Sequence, residues 1–329
     1  MRILFIAPTR VGDAVLSTGL LGWLSRTYPQ ARLTVACGQG AAPLFEAHPQ
    51  LEALIPLKKQ PKLGHWRKLW RRVGFTRWHM VVDMRRSAMP WLVWARHRAA
   101  APKGVPGEHR AVTMARTLKL DPAPEPTVWT SAEDRRRADD LLGGRRPVLA
   151  LAPTANWRAK IWPADHFAGL VARLTGPGGP LEDALVFVTG GPGEDAQAQP
   201  VIDAVPEHRR VAAVGLDLRA TAAVFARSRL FVGNDSGLMH LAAAAGTPTL
   251  GLFGPTDDTL YAPWSARSQV VRTPESVAEI TNQPGFHHKT AGTQMTSLTV
   301  DTVDRAARAL LDRTEDAPAK AAQSAAGGL

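Results

Sequence analysis

The chain has 329 residues, which is enough for two domains of ordinary size. Its apolar share of 45% and charged share of 21% are typical of soluble globular proteins and exclude collagen-like, coiled-coil and wholly disordered chains. The single cysteine, Cys37, excludes an intramolecular disulfide and a cysteine-cluster metal site, and it indicates a reducing compartment. No apolar run approaches the roughly 20 residues of a membrane span, and the run before Arg10 is too short for a signal peptide. We therefore expect a soluble, cytoplasmic protein.

The net charge of +11 is concentrated in one region. Between Lys58 and Arg116 there are fifteen Lys or Arg residues and two acids, a local net charge of +13, so the rest of the chain carries −2. Five of the ten tryptophans lie in the same region. A charge run is often only a solvated face, but this concentration favours an anionic partner or an anionic membrane surface.

The first part of the chain alternates between strand and helix patterns. A near-continuous apolar run from Arg2 to Ala7 predicts a buried parallel strand, and the loop PTRVGD leads into a helix pattern that Pro29 ends. The runs ARLTVAC and WHMVVDM predict two further strands. Strand, helix and strand in this order predict the βαβ units of a doubly wound sheet.

A second series follows a proline-rich linker at residues 121–129 and a charged helix, SAEDRRRADDLL. Strand patterns recur in VLALAP, ALVFVTGG, SRLFVGND and TPTLGLFG, with a helix that ends at Gly246 before the last of them. We predict an α/β fold of two Rossmann-like, doubly wound domains facing a central cleft, residues 1–128 and 129–314, and a flexible tail at residues 315–329. Ligands of such folds bind beyond the carboxyl ends of the strands, so the loops after the strands are the candidate sites.

The loop after the first strand contains Arg10, Gly12 and Asp13. It lacks the G-x-G-x-x-G of a dinucleotide site, which argues against a nicotinamide-dependent oxidoreductase. Asp13 can cap the following helix, which is the more frequent role of such an aspartate, or it can be a carboxylate in the cleft, which Gly12 opens to a substrate. The helix dipole stabilises a negative charge at this position.

Two loops of the second series carry groups that suit a nucleotide. Lys160 comes shortly before a helix with Pro163 in its first turn, and a helix amino terminus beside a lysine attracts phosphate, although a lysine there can also be a plain surface residue. After ALVFVTGG, glycines permit close backbone approach and Glu194 can accept hydrogen bonds from ribose hydroxyls. The same glycines also suit a simple turn.

The segment GNDSGLMH, residues 233–240, is the strongest candidate because a strand runs directly into a helix there. Asp235 can cap that helix or hold a ligand, and His240 can be a core histidine or a phosphate contact. The amides at the helix start are unpaired donors that suit a pyrophosphate, namely those of Ser236, Gly237 and Leu238.

Four segments in order resemble glycosyltransferase family 9, the ADP-heptose:lipopolysaccharide heptosyltransferases. They are GDAVLSTGLL, the K-x-W-P at Lys160 to Pro163, the D-S-G-L-M-H at Asp235 to His240 and the FGPT at Phe253 to Thr256. The closing segment QMTSLTVDTV is also similar, so the resemblance covers nearly the whole chain. It implies a GT-B fold, an ADP-sugar donor, inversion at the anomeric carbon and neither a metal nor a further cofactor.

The resemblance also implies roles for single residues. The catalytic base falls on Asp13, and the lysine that holds the donor phosphates falls on Lys160, with Thr154 near the same phosphates. The ribose-binding glutamate falls on Glu194 and an adenine-contacting apolar residue on Leu216. With the pyrophosphate-binding segment, the expected donor-binding residues are Thr154, Glu194, Leu216, Asp235, Ser236, Gly237, Leu238 and His240. The sequence departs from the family at Thr18-Gly19, where T-P is frequent.

The basic region belongs to the first domain and therefore to the expected acceptor side. Acceptors of the family are lipid-anchored inner cores of lipopolysaccharide at the cytoplasmic face of the inner membrane, rich in carboxylates and phosphates. Arginine forks match such groups, so we expect Arg10, Arg85 and Arg86 to bind the acceptor. The surrounding cations and tryptophans predict peripheral contact with an anionic membrane.

Other interpretations stay open beside this one. A family member can use a different nucleotide sugar or acceptor, and the basic region alone also suits a nucleic-acid-binding protein. No known nucleic-acid-binding module is recognisable, so we expect no nucleic-acid partner. The adjacent His287 and His288 have no third ligand nearby in the sequence, and we expect them to be solvated rather than metal-bound.

Overall fold

A computed structural model gives the structure of the protein and describes residues 1–284, 286–287 and 290–315. The chain divides into two compact units, Met1–Ser131 and Ala132–Leu329. This division falls within the few residues that follow the proline-rich segment. Of the predicted tail, Glu315 lies in a turn after the last helix, and residues 316–329 lie outside the described residues.

The first unit is built on a five-stranded parallel sheet. Its strands are β1 (Arg2–Ile6), β2 (Arg32–Gly38), β3 (Leu51–Leu57), β4 (Trp78–Asp83) and β5 (Ala95–Ala100), in the order β3-β2-β1-β4-β5. The helices are α1 (Val11–Thr27), α2 (Pro43–Glu46), α3 (Gly64–Val73), α4 (Met89–Leu92) and α5 (Arg110–Ala115). The central strand β1 is fully buried from Ile3 to Ile6 because helices cover both faces of such a sheet.

The second unit is built on a six-stranded parallel sheet in the order β11-β10-β9-β6-β7-β8. Its strands are β6 (Val148–Ala152), β7 (Leu185–Val188), β8 (Arg210–Ala212), β9 (Leu230–Asn234), β10 (Thr249–Phe253) and β11 (Ser268–Arg272). Its helices are α6 (Ala132–Leu142), α7 (Ala164–Thr175), α8 (Asp195–Ala204), α9 (Leu218–Phe225), α10 (Gly237–Ala244), α11 (Asp258–Tyr261), α12 (Val277–Thr281) and α13 (Val300–Arg313). The predicted pair of doubly wound α/β sheets is confirmed.

Both sheets change winding direction beside their first strand. In the first unit β1 lies between β2 and β4, and in the second β6 lies between β7 and β9. Ile6 is in register with Asp83, and Ala152 is in register with Gly233, so the loops after these strand pairs start at the same level. Such switch points are where doubly wound folds bind ligands, which singles out the carboxyl edges at β1/β4 and β6/β9.

The segment that leaves the first unit is held against α1. The backbone N–H of Thr127 donates to Thr18 Oγ1 at 3.0 Å. A Cβ atom at residue 19 would lie 2.5 Å from the carbonyl oxygen of Pro124, closer than packed atoms allow. Gly19 therefore admits the chain as it crosses the helix.

The closing segment of the second unit packs on the loop after β6. Trp162 is fully buried, and its Nε1 donates to the carbonyl of Leu298 at 2.7 Å. The N–H of Gln294 donates to the carbonyl of Ala159 at 3.0 Å. These bonds tie the loop that carries Lys160 to a segment far along the chain. Over the residues described, no helix combines the length and apolar character that crossing a membrane requires.

Candidate active site

Asp13 lies inside α1, at the third position of its first turn. Arg10 is the N-cap residue, and it makes no side-chain capping hydrogen bond, so the capping alternative for Asp13 is wrong. The Asp13 carboxylate is about one-fifth exposed, and its Oδ1 lies 3.6 Å from Nε of Arg110, the first residue of α5. The carboxylate is therefore accessible, sits where the α1 dipole favours an anion, and is oriented by one arginine.

Arg110 was not predicted as a site residue. It stands near the end of the basic region, ninety-seven positions from Asp13 by their residue numbers, and no local pattern separates it from the other cations there. Only the tertiary fold pairs it with Asp13.

The turn after β4 is organised by a buried carboxylate. Asp83 is fully buried, and it accepts hydrogen bonds from the N–H of Arg85 at 2.7 Å and from the N–H and Oγ of Ser87, each at 2.6 Å. Burial raises the pKa of Asp83 above its ordinary value, and the three hydrogen bonds act in the opposite direction. Asp83 is thus a positioning residue, and it fixes the backbone that carries the two predicted acceptor arginines.

Those two arginines have different surroundings. Arg86 is exposed and has a φ of +55°, a conformation that non-glycine residues rarely adopt. Arg85 is half-buried, and its guanidinium lies 4.5 Å from the centroid of the Trp66 ring; burial lowers its pKa. Arg85 and Arg86 follow β4, and the exposed Arg10 follows β1, so the three arginines come after the two strands of the β1/β4 switch point.

The second unit pairs Lys160 with Asp235. Lys160 lies in a short 3₁₀ turn, Arg158–Lys160, ahead of α7, which begins at Ala164 with Pro163 as its N-cap rather than in its first turn. Lys160 Nζ is 2.9 Å from Asp235 Oδ2 and 3.2 Å from the Asp235 carbonyl. Both side chains are largely buried. Asp235 therefore neutralises the lysine instead of capping α10.

Asn234 holds these two loops together, and it is a further residue that was not assigned from the sequence. Its Oδ1 accepts from the N–H of Trp162 at 3.1 Å, and its Nδ2 donates to the carbonyl of Pro153 at 2.9 Å. The side chain is fully buried. An asparagine at the end of a strand, directly before D-S-G, was the only signal that could have indicated it.

The start of α10 presents donors to the same edge. Ser236 is the N-cap residue and makes no side-chain capping bond. Its Oγ is buried and has no hydrogen-bond partner among the described residues, and the same holds for Thr256 Oγ1 in the turn after β10. The first amides of a helix have no intrahelical acceptor. The next residues are buried, as the helix turns into the core: Leu238 and His240.

The glycine-rich turn after β7 completes this edge. Thr154 is buried, and a Cβ at Gly190 would lie 2.9 Å from its Cγ2, so only glycine fits between the two loops. Glu194 is the N-cap residue of α8, and its Oε2 accepts from the N–H of Gly191 at 2.7 Å. The half-buried Leu216 follows Gly215, whose N–H donates to the Gly190 carbonyl at 3.0 Å. The predicted donor residues of this unit thus surround one set of adjoining loops.

The two histidines of the loop before the closing segment carry no assignment. His287 is exposed, and His288 lies outside the described residues. Across 1–284, 286–287 and 290–315, no group of three or more His, Cys, Asp or Glu side chains could hold a metal ion.

Comparison with known proteins gives the family. Residues 72–289, more than half of the chain, match the model of glycosyltransferase family 9 (heptosyltransferase). Lipopolysaccharide heptosyltransferase 2 of Salmonella typhimurium is 27% identical over 318 residues, which cover 83% of this chain and 88% of that protein.

Solved structures show the same fold. A glycosyltransferase family 9 structure from Veillonella parvula has a TM-score of 0.76 at 21% identity and covers 95% of this chain and 97% of its own. The E. coli ADP-heptose lps heptosyltransferase II has a TM-score of 0.74 at 23% identity, over 96% of this chain and all of that one. The predicted GT-B type of fold is confirmed by these similarities. The chain belongs to glycosyltransferase family 9, the heptosyltransferases.

Proposed function

We propose that the protein transfers a heptose from ADP-heptose to the inner core of a lipopolysaccharide acceptor, with inversion at the anomeric carbon and without a bound metal ion. Family membership supports the reaction class, and the name of the E. coli relative supports the donor and the acceptor. The observation that carries the proposal is the β6/β9 edge, where a largely buried lysine adjoins the start of α10 and the Ser236 hydroxyl is buried and unsatisfied, as is that of Thr256 after the neighbouring β10.

The β6/β9 edge suits a diphosphate. Lys160 can donate to phosphate oxygens once they replace the Asp235 carboxylate at 2.9 Å. The Ser236 and Thr256 hydroxyls, which are buried and unsatisfied, gain acceptors from the same group. Glu194 and Leu216 then lie on the loops that would meet the ribose and the adenine, with Thr154 between these loops and the phosphates.

Asp13 supplies the base. In the transfer, an acceptor hydroxyl oxygen forms a bond to the anomeric carbon while the bond from that carbon to the β-phosphate oxygen breaks. ADP departs with the electron pair, and the hydroxyl proton passes to the Asp13 carboxylate. A single displacement of this kind inverts the anomeric centre. Arg110, at 3.6 Å, is a positioning residue for the base.

The protein's own charges replace a metal in this scheme. The leaving ADP gains negative charge in the transition state, and Lys160 and the α10 dipole are placed to stabilise it. No cofactor is needed, because the ADP-sugar is a substrate. Arg10, Arg85 and Arg86 bind the anionic acceptor at the cytoplasmic face of the inner membrane, and nucleic acid is not a partner.

A nucleotide panel tests the donor assignment. Ligands that bind the native state raise its apparent stability, so ADP should raise the melting temperature more than UDP or GDP at equal concentration. A larger shift with UDP or GDP would favour the alternative, a family member that uses a different nucleotide sugar.

Transfer itself is tested with ADP-heptose and a purified heptose-free inner-core acceptor. Nuclear magnetic resonance of the product should show the anomeric configuration opposite to that of the donor. Exhaustive treatment with a chelator should leave the rate unchanged. Retention of configuration or loss of activity that a divalent metal restores would contradict the proposed mechanism.

A further inference from the structure

Exposed large apolar side chains are concentrated in one part of the first unit. Scattered exposed apolar residues are ordinary, whereas a contiguous patch marks an interaction surface. Apart from Met1, all those of the described residues lie between positions 63 and 105. They are Leu63, Trp70, Phe75, Trp91, Leu92, Trp94 and Val105.

The middle five of these residues lie at the end of α3, just after it, and in or next to α4, and contacts of Trp70 bring these segments together. The Trp70 and Phe75 rings lie 5.4 Å apart, and Trp70 Nε1 donates to the carbonyl of Leu92 at 3.0 Å. Trp91 and Trp94, which flank Leu92 and Val93 in the sequence, are 66% and 67% exposed. We call these five residues, Trp70, Phe75, Trp91, Leu92 and Trp94, the aromatic cluster.

The backbone under the aromatic cluster is anchored. Arg98 of β5 donates from Nε to the carbonyl of Pro90 at 2.7 Å and from Nη2 to that of Val93 at 3.4 Å. Met89, Pro90 and Val93 are buried. Because its neighbours are fixed in the core, the exposure of Trp91 and Trp94 is a property of the folded unit.

Helix α3 places cations beside the aromatic cluster. Its sequence GHWRKLWRRV buries His65, Leu69 and Val73 on one face. Other positions of the helix expose four cations, and no carboxylate within residues 1–284, 286–287 or 290–315 lies within ion-pair distance of any of them. They are Arg67, Lys68, Arg71 and Arg72. Nearby, the Arg77 guanidinium lies 5.7 Å from the Trp94 ring centroid.

From this surface we propose that the first unit docks on an anionic lipid bilayer, with the aromatic cluster in the interfacial layer and the α3 cations against the headgroups. Indole rings are enriched at that depth, and each cation near an anionic leaflet adds to binding. Base-stacking surfaces also combine aromatic rings and cations, but the exposed aliphatic side chain of Leu92 has no use there and buries readily in lipid.

The position of the aromatic cluster agrees with this orientation. Phe75 and Arg77 come directly before β4, and Trp94 comes directly before β5. The cluster therefore lies towards the amino-terminal ends of these strands, whereas Asp13 and Arg86 follow the carboxyl ends of β1 and β4. The aromatic cluster is thus separate from the residues proposed for transfer, and substitutions in it leave those residues intact.

Vesicle flotation with the full chain tests the proposal. The protein should float with vesicles of phosphatidylcholine and phosphatidylglycerol at low salt but not with pure phosphatidylcholine, and high salt should weaken the association by screening. Absence of flotation with the anionic vesicles would overturn the proposal.

Two double variants, each with a matched control, locate the membrane-binding surface. Arg67→Ala/Arg71→Ala should weaken partitioning about 30-fold, while Arg136→Ala/Arg305→Ala removes the same charge from exposed sites of the second unit and should leave it nearly unchanged. Trp91→Ala/Trp94→Ala should weaken partitioning at least about tenfold, and Trp91→Phe/Trp94→Phe should retain most of it. Equal loss in both arginine pairs, or normal binding without the two indoles, would overturn the proposal.

Two further measurements distinguish lipid docking from a role in sugar transfer and from other binding partners. The Trp91→Ala/Trp94→Ala variant should transfer sugar normally to a de-acylated, soluble acceptor, and Asp13→Asn should float like the unmodified chain, so failure of the transfer proposal and failure of docking are distinguishable. If the aromatic cluster instead covers a second copy of the chain or binds single-stranded nucleic acid in preference to vesicles, size exclusion or competition will show it and the lipid assignment is wrong.

Discussion

The two sheets share the strand order 3-2-1-4-5, to which the second adds a sixth strand, but the edges at their switch points differ in how their charges are satisfied. At β6/β9, Lys160 and Asp235 neutralise each other, and Asn234 satisfies two backbone groups of the loop after β6. At β1/β4, Arg10 and Arg86 are exposed, and Asp13 keeps part of its carboxylate open. The first arrangement suits a small anion held in a dry site, and the second suits a large, hydrated, anionic glycan. The fold sets where ligands bind, and the local charges set what kind.

The largest effect on this contrast is expected from removing the proposed catalytic base of the first unit. Asp13→Asn should lower the transfer rate at least about 100-fold, since general-base assistance contributes about that much or more. Its affinity for ADP, measured by calorimetry, should not change, because the proposed donor residues lie in the second unit. A folded Asp13→Asn variant with near-normal turnover would show that Asp13 is not the base.

The stability of the first unit should depend on one buried histidine. His48 accepts from the N–H of Gln50 at Nδ1 and contacts Ser25 Oγ at Nε2 at 2.9 Å, so it is held neutral. Burial lowers its pKa from 6.5 to about 4. Because the unfolded chain binds the proton more readily, stability present above about pH 6.5 is lost as the pH falls towards 4, by about 2–3 kcal/mol at pH 4.5.

Urea unfolding at pH 7 and pH 4.5 measures that loss against a His48→Gln control. The control keeps an acceptor for the Gln50 amide but has no titrating ring, so its stability should fall less over the same interval. Equal losses in the two proteins would mean that His48 does not carry the pH dependence.

Lys160, which is paired with Asp235 in the second unit, should contribute to the affinity for ADP. Lys160→Ala should weaken ADP binding about 10- to 150-fold, since a charge-assisted hydrogen bond contributes about 1.5–3 kcal/mol and Asp235 is left as an unpaired, buried carboxylate. Lys103→Ala, an exposed lysine of the first unit, is the matched control and should bind ADP normally. Unchanged calorimetric affinity in Lys160→Ala would remove Lys160 from the donor site.

The smallest expected effects are the stability changes caused by substituting two mid-helix glycines, one in each unit. Gly19→Ala in α1 would place a methyl group 2.5 Å from the Pro124 carbonyl and should cost about 1–2 kcal/mol of unfolding free energy. Gly169→Ala in α7 meets Val300 at 3.5 Å, an ordinary contact, and should gain about 0.5–1 kcal/mol. Denaturant unfolding of both variants measures these changes in unfolding free energy. Equal changes in the two variants would show that the crossing segment can move away from α1.

The parts that could be predicted from the sequence are those with a local cause. The continuous apolar runs of β1, β2, β4, β6 and β9 are typical of buried parallel strands, and the structure has strands there. The edge strand β5, with the sequence ARHRAA, was not predicted, because charges that protect a sheet edge erase the apolar signal. The edge strand β3 was missed as well, since Glu52 and Pro56 interrupt its apolar run.

The candidate site divides in the same way. Asp13, Lys160 and the segment from Asp235 to His240 were identified from their places after strands. Their partners were not, because Arg110 and Asp13, or Lys160 and Asp235, meet only through the tertiary fold. The order of segments along a chain indicates which loops share an edge, but it does not indicate which charges neutralise each other there.

The ion pair between Lys160 and Asp235 should also determine which anions the second unit binds only weakly. The carboxylate is a tethered competitor, always present at high effective concentration, so an incoming anion has to displace it. A single inorganic phosphate or a metabolite carboxylate offers little more than Asp235 already does. A diphosphate could reach Lys160 and the α10 start together, so we expect the site to discriminate against the simple anions of a cell in favour of a nucleotide.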